Sequence, residues 1–96
     1  MKTTPGTTAR VIVTARPSPK TVETTRDLLE HAATTAGAMR VALGVMALDD
    51  ASAWLKRTFA SFQTALDGRP CEETTARLVA HAIRTAGGQC DVIPGP

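Results

Sequence analysis

The sequence contains no tyrosine and only three aromatic residues, one Trp and two Phe, among its 96 positions. Its core must therefore be built from Val, Leu, Ile and Ala, the aliphatic residues that most often fill protein interiors. It also lacks a continuous apolar run of about 18 residues, which excludes a membrane-spanning helix. The first ten residues lack the apolar stretch of a secretory signal, so we expect a cytoplasmic protein.

The sequence also carries little net charge. There are 11 Lys and Arg against 9 Asp and Glu, a formal net charge of +2. This balance makes nucleic-acid binding unlikely, because such proteins carry a strongly basic surface. The hydrophobic fraction of 43% indicates a folded globule rather than a disordered chain. The many Ala residues, with Arg more common than Lys, favour a bacterial or phage origin.

Cysteine is limited to Cys71 and Cys90. They would lie at opposite ends of a predicted helix about 24 Å long, too far apart for a disulfide, which needs Cα atoms within about 7 Å. Free thiols are typical of a reducing cytoplasm. The spacing of the two Cys and two His residues matches no zinc site. We therefore expect neither a metal nor a cofactor.

The first half of the chain is predicted to form a tail, a strand and a helix. Residues 1–9 are small and polar, which indicates a flexible tail before a single domain over 10–94. Arg10–Ala15 is β-branched and short, which is typical of a strand. Ser18 is the predicted N-cap of a helix that runs to Ala36, with Gly37 as its left-handed terminator.

Met39–Leu48 is predicted to be a largely buried second strand, because large apolar residues alternate with smaller ones. A short buried helix is the alternative. The next helix begins at Asp49-Asp50 and ends at Gly68. Its apolar positions are spaced for one helical face: Leu55, Phe59, Phe62 and Leu66.

A third helix is predicted from Pro70-Cys71 to Ala86, stopped by Gly87-Gly88, and Gln89–Pro94 is predicted to be the last strand. Glu23–Gly37 and Glu73–Gly87 are identical at nine of fifteen positions. This internal repeat predicts a duplicated helix–Gly–strand unit, and convergence of two helices with the same role is the alternative.

These elements predict the α/β (α+β) class: a three-stranded sheet covered by helices, in the order β-α-β-α-α-β. The alternative is a ferredoxin-like βαββαβ plait, which requires residues 60–66 to be a strand. A short chain with exposed sheet edges favours a homodimer in which the sheet continues across the interface. His31 and His81 occupy equivalent positions of the repeat, and their role stays open.

Polar residues follow both of the first two predicted strands. Arg16, Ser18 and Lys20 come after the first strand, and Asp49 and Asp50 after the second. Ligands bind at the carboxyl ends of strands in parallel α/β sheets, and a helix N-terminus attracts anions. One hypothesis is therefore a small-molecule or anion-binding domain, enzymatic or not, that uses these five residues.

A second hypothesis starts from Trp54, which lies beside the apolar stripe with Lys56 and Arg57. Trp and Arg are enriched in the residues that dominate protein interfaces. No catalytic residues are predicted, because Cys71 is followed by acidic residues that oppose thiolate formation. We therefore favour a non-catalytic protein-interaction or regulatory module, homodimeric and without a membrane partner. A phage or plasmid inhibitor of a host complex is a further alternative.

Overall fold

Between residues 8 and 95, the part described by the computed structural model, the chain forms helices and strands in the order β-α-α-β-α-β. The six elements are β1 (Thr8–Val13), α1 (Pro19–Ala42), α2 (Leu48–Leu66), β2 (Cys71–Glu72), α3 (Glu73–Thr85) and β3 (Cys90–Pro94). Most of the predicted tail, residues 1–7, lies outside the described residues, and Thr8 and Ala9 belong to β1.

The three strands form one antiparallel sheet in the order β2-β1-β3. Ala9 pairs with Cys71 on one side, and Val11 pairs with Val92 on the other. The α+β class and the three-stranded sheet covered by helices are thus confirmed. Residues 8–95 do not form the alternative four-stranded plait, because residues 60–66 belong to α2.

The predicted strand over Met39–Leu48 is wrong, and with it the predicted element order. Helix α1 continues through Gly37 to Ala42, and residues 43–47 turn the chain into α2. Gly37 is not among the glycines with positive φ, so it does not terminate the helix. The residues that follow it, Ala38-Met39-Arg40, are good helix formers and favour continuation.

The repeat is confirmed as a structural unit only in its second copy. There, α3 ends at Thr85, Gly87 adopts a φ of 96°, and the chain returns as β3. An added Cβ at the next residue, Gly88, would stand 2.7 Å from Cγ2 of Ile83, so this turn requires the second glycine too. The first copy has alanine after its glycine and remains helical.

Helix α3 is central to the core. Val79 and Ala80 have no exposed surface and pack with Leu29 of α1, Phe62 of α2 and Val11 of β1. The predicted start of α3 at Pro70-Cys71 is two to three residues early, because Cys71 pairs with β1 as part of β2. No helix of the described residues combines the length and apolarity needed to cross a bilayer.

Candidate functional site

The longest helices, α1 and α2, form an antiparallel hairpin. At 1.5 Å per residue, α1 is about 36 Å long and α3 about 20 Å. The main core includes Ala33 of α1, and Leu55 of α2 packs against it, whereas the buried Ala51, one turn earlier in α2, is not part of it. Gly37 packs on Trp54 and Leu55. The hairpin end is therefore a two-helix layer that extends past the core.

Large apolar side chains are exposed at this end of the hairpin. The exposed fractions are 58% for Met39, 71% for Leu43, 72% for Val45 and 70% for Leu48. The other exposed large hydrophobic residues in the described chain reach only 44%. We call these four residues the hairpin patch. Such a concentration of exposed apolar surface is typical of an interaction site.

A groove of about 380 Å³ runs between α1 and α2 beside the hairpin patch. Its lining contains no charged residue and consists of Thr34, Gly37, Ala38, Val41, Ala42, Leu48, Ala51, Ser52 and Leu55. Two hydroxyls, on Thr34 and Ser52, are its only polar side-chain groups. We call this the hairpin groove. It suits an apolar surface better than a polar small molecule, which needs several placed hydrogen-bonding groups.

Trp54 lies between the two helices of the hairpin end. Its side chain is half-buried against Gly37, and Arg40 stands over the ring with Cζ 4.4 Å from the ring centroid. Lys56 and Arg57 are exposed on α2. Trp54 therefore holds α1 against α2, and the structure does not present it beside Lys56 and Arg57 as one exposed cluster.

The five residues of the predicted ligand site do not come together. Ser18 caps α1: its Oγ accepts the Thr21 N–H at 3.1 Å, with Lys20 in the first turn of that helix. Asp49 and Asp50 lie in the first turn of α2, at the other end of the hairpin. The length of α1, about 36 Å, separates the two groups. Asp49 and Asp50 follow a turn rather than a strand.

Both cysteines are held as thiols. Burial, with the neighbouring Glu72 carboxylate, raises the pKa of Cys71, and its Sγ donates to the Ala9 carbonyl at 3.6 Å. Burial also raises the pKa of Cys90, whose Sγ donates to the Ala80 carbonyl at 3.6 Å. Within residues 8–95, no three His, Cys, Asp or Glu residues are grouped closely enough to hold a metal ion.

The outer edge of β3 is a second candidate surface, through which the sheet would continue into another copy of the chain. Thr14 N–H donates to Gln89 and Gly95 N–H donates to Thr8, so alternation turns the backbone groups of Cys90, Val92 and Pro94 outward. Pro94 has no N–H, and the Cys90 carbonyl accepts from Arg84 Nη2 at 3.0 Å. Another strand is therefore opposed at the two ends of this edge, whereas Val92 in the middle turns both its N–H and its C=O outward.

The sequence pattern does not reveal the hairpin patch, because it assigns these residues to a buried strand. Alternation of Met39, Val41 and Leu43 resembles a strand, and only the helix propensity of the intervening residues indicates otherwise.

Comparison of the chain with protein-family models, curated proteins and solved structures finds no significant match.

Proposed function

We propose that this chain is a small, non-catalytic protein-interaction module that binds its partner through the hairpin patch and hairpin groove. The observation that carries the proposal is the exposure of Met39, Leu43, Val45 and Leu48 at 58–72% on one end of the molecule. Leaving so much apolar surface in water costs free energy, about 25 cal/mol per Å², which a partner would recover.

The remaining features support this function. The hairpin groove is uncharged, so a partner with an apolar helix or sheet face fits it better than a nucleic acid or an anion. Raised thiol pKa values argue against Cys71 or Cys90 as a nucleophile at neutral pH. Two free thiols support a reducing, cytoplasmic location.

Site-specific photo-crosslinking tests the proposal. A benzophenone amino acid is placed at Leu48, with the 42% exposed Leu78 of α3 as the control position. We expect one defined crosslinked species from position 48 and none from position 78. The captured protein is then purified and rebound, and Leu48→Gln should weaken its binding at least tenfold while Leu78→Gln leaves it unchanged.

Equal crosslinking from both positions, or rebinding that Leu48→Gln does not affect, would overturn the proposal. A captured subunit of a host enzyme complex would specify the module as an inhibitor of that complex. Capture of a second copy of this chain would specify self-association.

A further inference from the structure

The outward side of the hairpin carries a coiled-coil spacing on both helices. On α2, Leu48, Ser52, Leu55 and Phe59 follow one another at intervals of four, three and four residues. The first three line the hairpin groove, and Phe59 lines the next cavity between the same helices. On α1, Thr34, Ala38 and Val41 repeat the first two intervals along the same groove. Such spacing is typical of helices that pack against further helices.

Exposure shows that this stripe lacks a cover within residues 8–95. Leu48 is 70% exposed and Phe59 37%, while Ser52 between them is small and exposed. A layer of two helices buries apolar residues only on the side that faces its neighbour. A second pair of helices on the outward side completes a four-helix bundle.

Two charged side chains beside the stripe indicate which molecule covers it. Asp49 and Lys56 are exposed on α2, seven residues apart, so they lie on the same side of the helix two turns from each other. They flank the stripe at equivalent heptad positions, where charges select the partner and its orientation. A second α2 running antiparallel, with a twofold axis between Ser52 and Ala53, brings each Asp49 level with the other copy's Lys56.

We propose that the partner of the hairpin is a second copy of this chain, packed antiparallel so that Asp49 of each copy pairs with Lys56 of the other. In this register Leu48 lies level with Arg57 of the second copy. Phe59 of that copy lies two residues, about 3 Å, farther along the helix axis, close enough for the two exposed side chains to contact each other. Ser52 lies level with Ala53 of the second copy, and these small residues at the axis allow the close approach of about 8–10 Å typical of packed helices. The inference rests on the proposed function and names its partner.

Sedimentation equilibrium of the purified chain and of charge variants is the test. We expect the wild type at twice its 10.1 kDa protomer mass at micromolar concentration. Lys56→Asp places like charges opposite each other twice per dimer and should weaken association about tenfold. The double variant Asp49→Lys with Lys56→Asp should return to within about threefold of wild type. Arg57→Asp, the same change one position away on α2, is the control.

A second experiment, in which two variants are mixed, tests the register even if the substitutions lower the stability of the chain. Asp49→Lys and Lys56→Asp chains, each checked for folding by circular dichroism, are combined and measured by native mass spectrometry with one chain isotope-labelled. Heterodimers should make up well over half of all dimers, whereas the statistical share of one half would overturn the register.

The outcomes separate this inference from the proposed function. A monomeric wild type that still crosslinks to another protein from position 48 would overturn the second copy and keep the docking surface. A dimer that persists in both Lys56→Asp and Leu48→Gln would overturn the hairpin as the interface.

Discussion

The indole of Trp54 lies directly against the backbone of Gly37. A Cβ added at Gly37 would stand 3.4 Å from Cζ3 and 3.6 Å from Cε3 of the ring, and 3.7 Å from Cγ of Leu55. The guanidinium of Arg40 lies over the same ring. These contacts join α1 to α2 beyond Ala33, the last residue of α1 in the main core, and they fix the position of the hairpin patch.

Alanine at the two equivalent glycines of the repeat should have opposite effects. At Gly37 the added methyl group meets ordinary contact distances, and an interior helical glycine costs about 0.5–1 kcal/mol relative to alanine. Gly37→Ala should therefore stabilise by up to about 1 kcal/mol. Gly87 has a φ of 96°, so Gly87→Ala should destabilise by about 1–2 kcal/mol. Urea unfolding followed by circular dichroism measures both, and a destabilised Gly37→Ala chain would show that Trp54 cannot adjust.

Removing the Trp54 ring should loosen the hairpin end. Burying a Trp contributes roughly 3–5 kcal/mol when complete, and Trp54 is half-buried, so Trp54→Ala should destabilise by roughly 2 kcal/mol. In Trp54→Ala, the rate of amide hydrogen exchange should rise above its wild-type value at residues 39–42, and by more than it rises in α3. Leu78→Ala, on the exposed side of α3, should cost less than about 1 kcal/mol. Unchanged exchange at residues 39–42 would contradict the role of the ring.

Stability should fall at alkaline pH because of the two cysteines. The folded pKa of each thiol is raised, so the folded state keeps protons that the unfolded state releases above about pH 8.5. Their stabilising contribution is complete below that pH and is lost as the pH rises. A Cys71→Ala/Cys90→Ala chain should show a flatter decline in unfolding free energy between pH 8 and 10. Parallel curves for the two chains would refute this account.

Opening the outer edge of β3 should promote aggregation. Arg84→Ala removes the guanidinium that binds the Cys90 carbonyl, and Pro94→Thr restores an N–H on the outward-facing side. The double variant should form thioflavin-positive aggregates faster than wild type. Arg77→Ala is the control, because Arg77 pairs with Glu73 of the same helix on the exposed side of α3, away from β3. Equal aggregation of both variants would rule out edge protection.

Sequence patterns predicted the elements whose local signals agree. Ser18 with Pro19 marked the start of α1, the Leu55–Leu66 stripe marked α2, and Gly87-Gly88 marked the return into β3. The prediction for the stretch after Gly37 was wrong because a left-handed glycine and a helical glycine are identical in sequence. The residue after each glycine distinguishes them: Ala38 continues the helix, whereas an added Cβ at Gly88 would stand 2.7 Å from Cγ2 of Ile83.

The candidate site was harder to predict because it depended on that same glycine. With Met39–Leu48 taken as a strand, Leu43 and Leu48 were assigned to the core and Asp49 to a strand end. The continuation of α1 moves all three to the free end of a hairpin. The sequence does not predict β2 because two residues carry no periodicity, and their pairing with Thr8 and Ala9 is what defines them as a strand.

The position of β1 at the centre of the sheet has a consequence for how the chain folds during synthesis. β1 is made before both of its neighbours: its Ala9 carbonyl accepts a hydrogen bond from Sγ of Cys71, 62 positions later, and the residues of β3 come later still. Because synthesis adds about 5–20 residues per second, β1 has neither of its neighbouring strands for several seconds. The hairpin, whose contacts are closer in sequence, is complete before then. The sheet closes last, when the end of β3 leaves the ribosome.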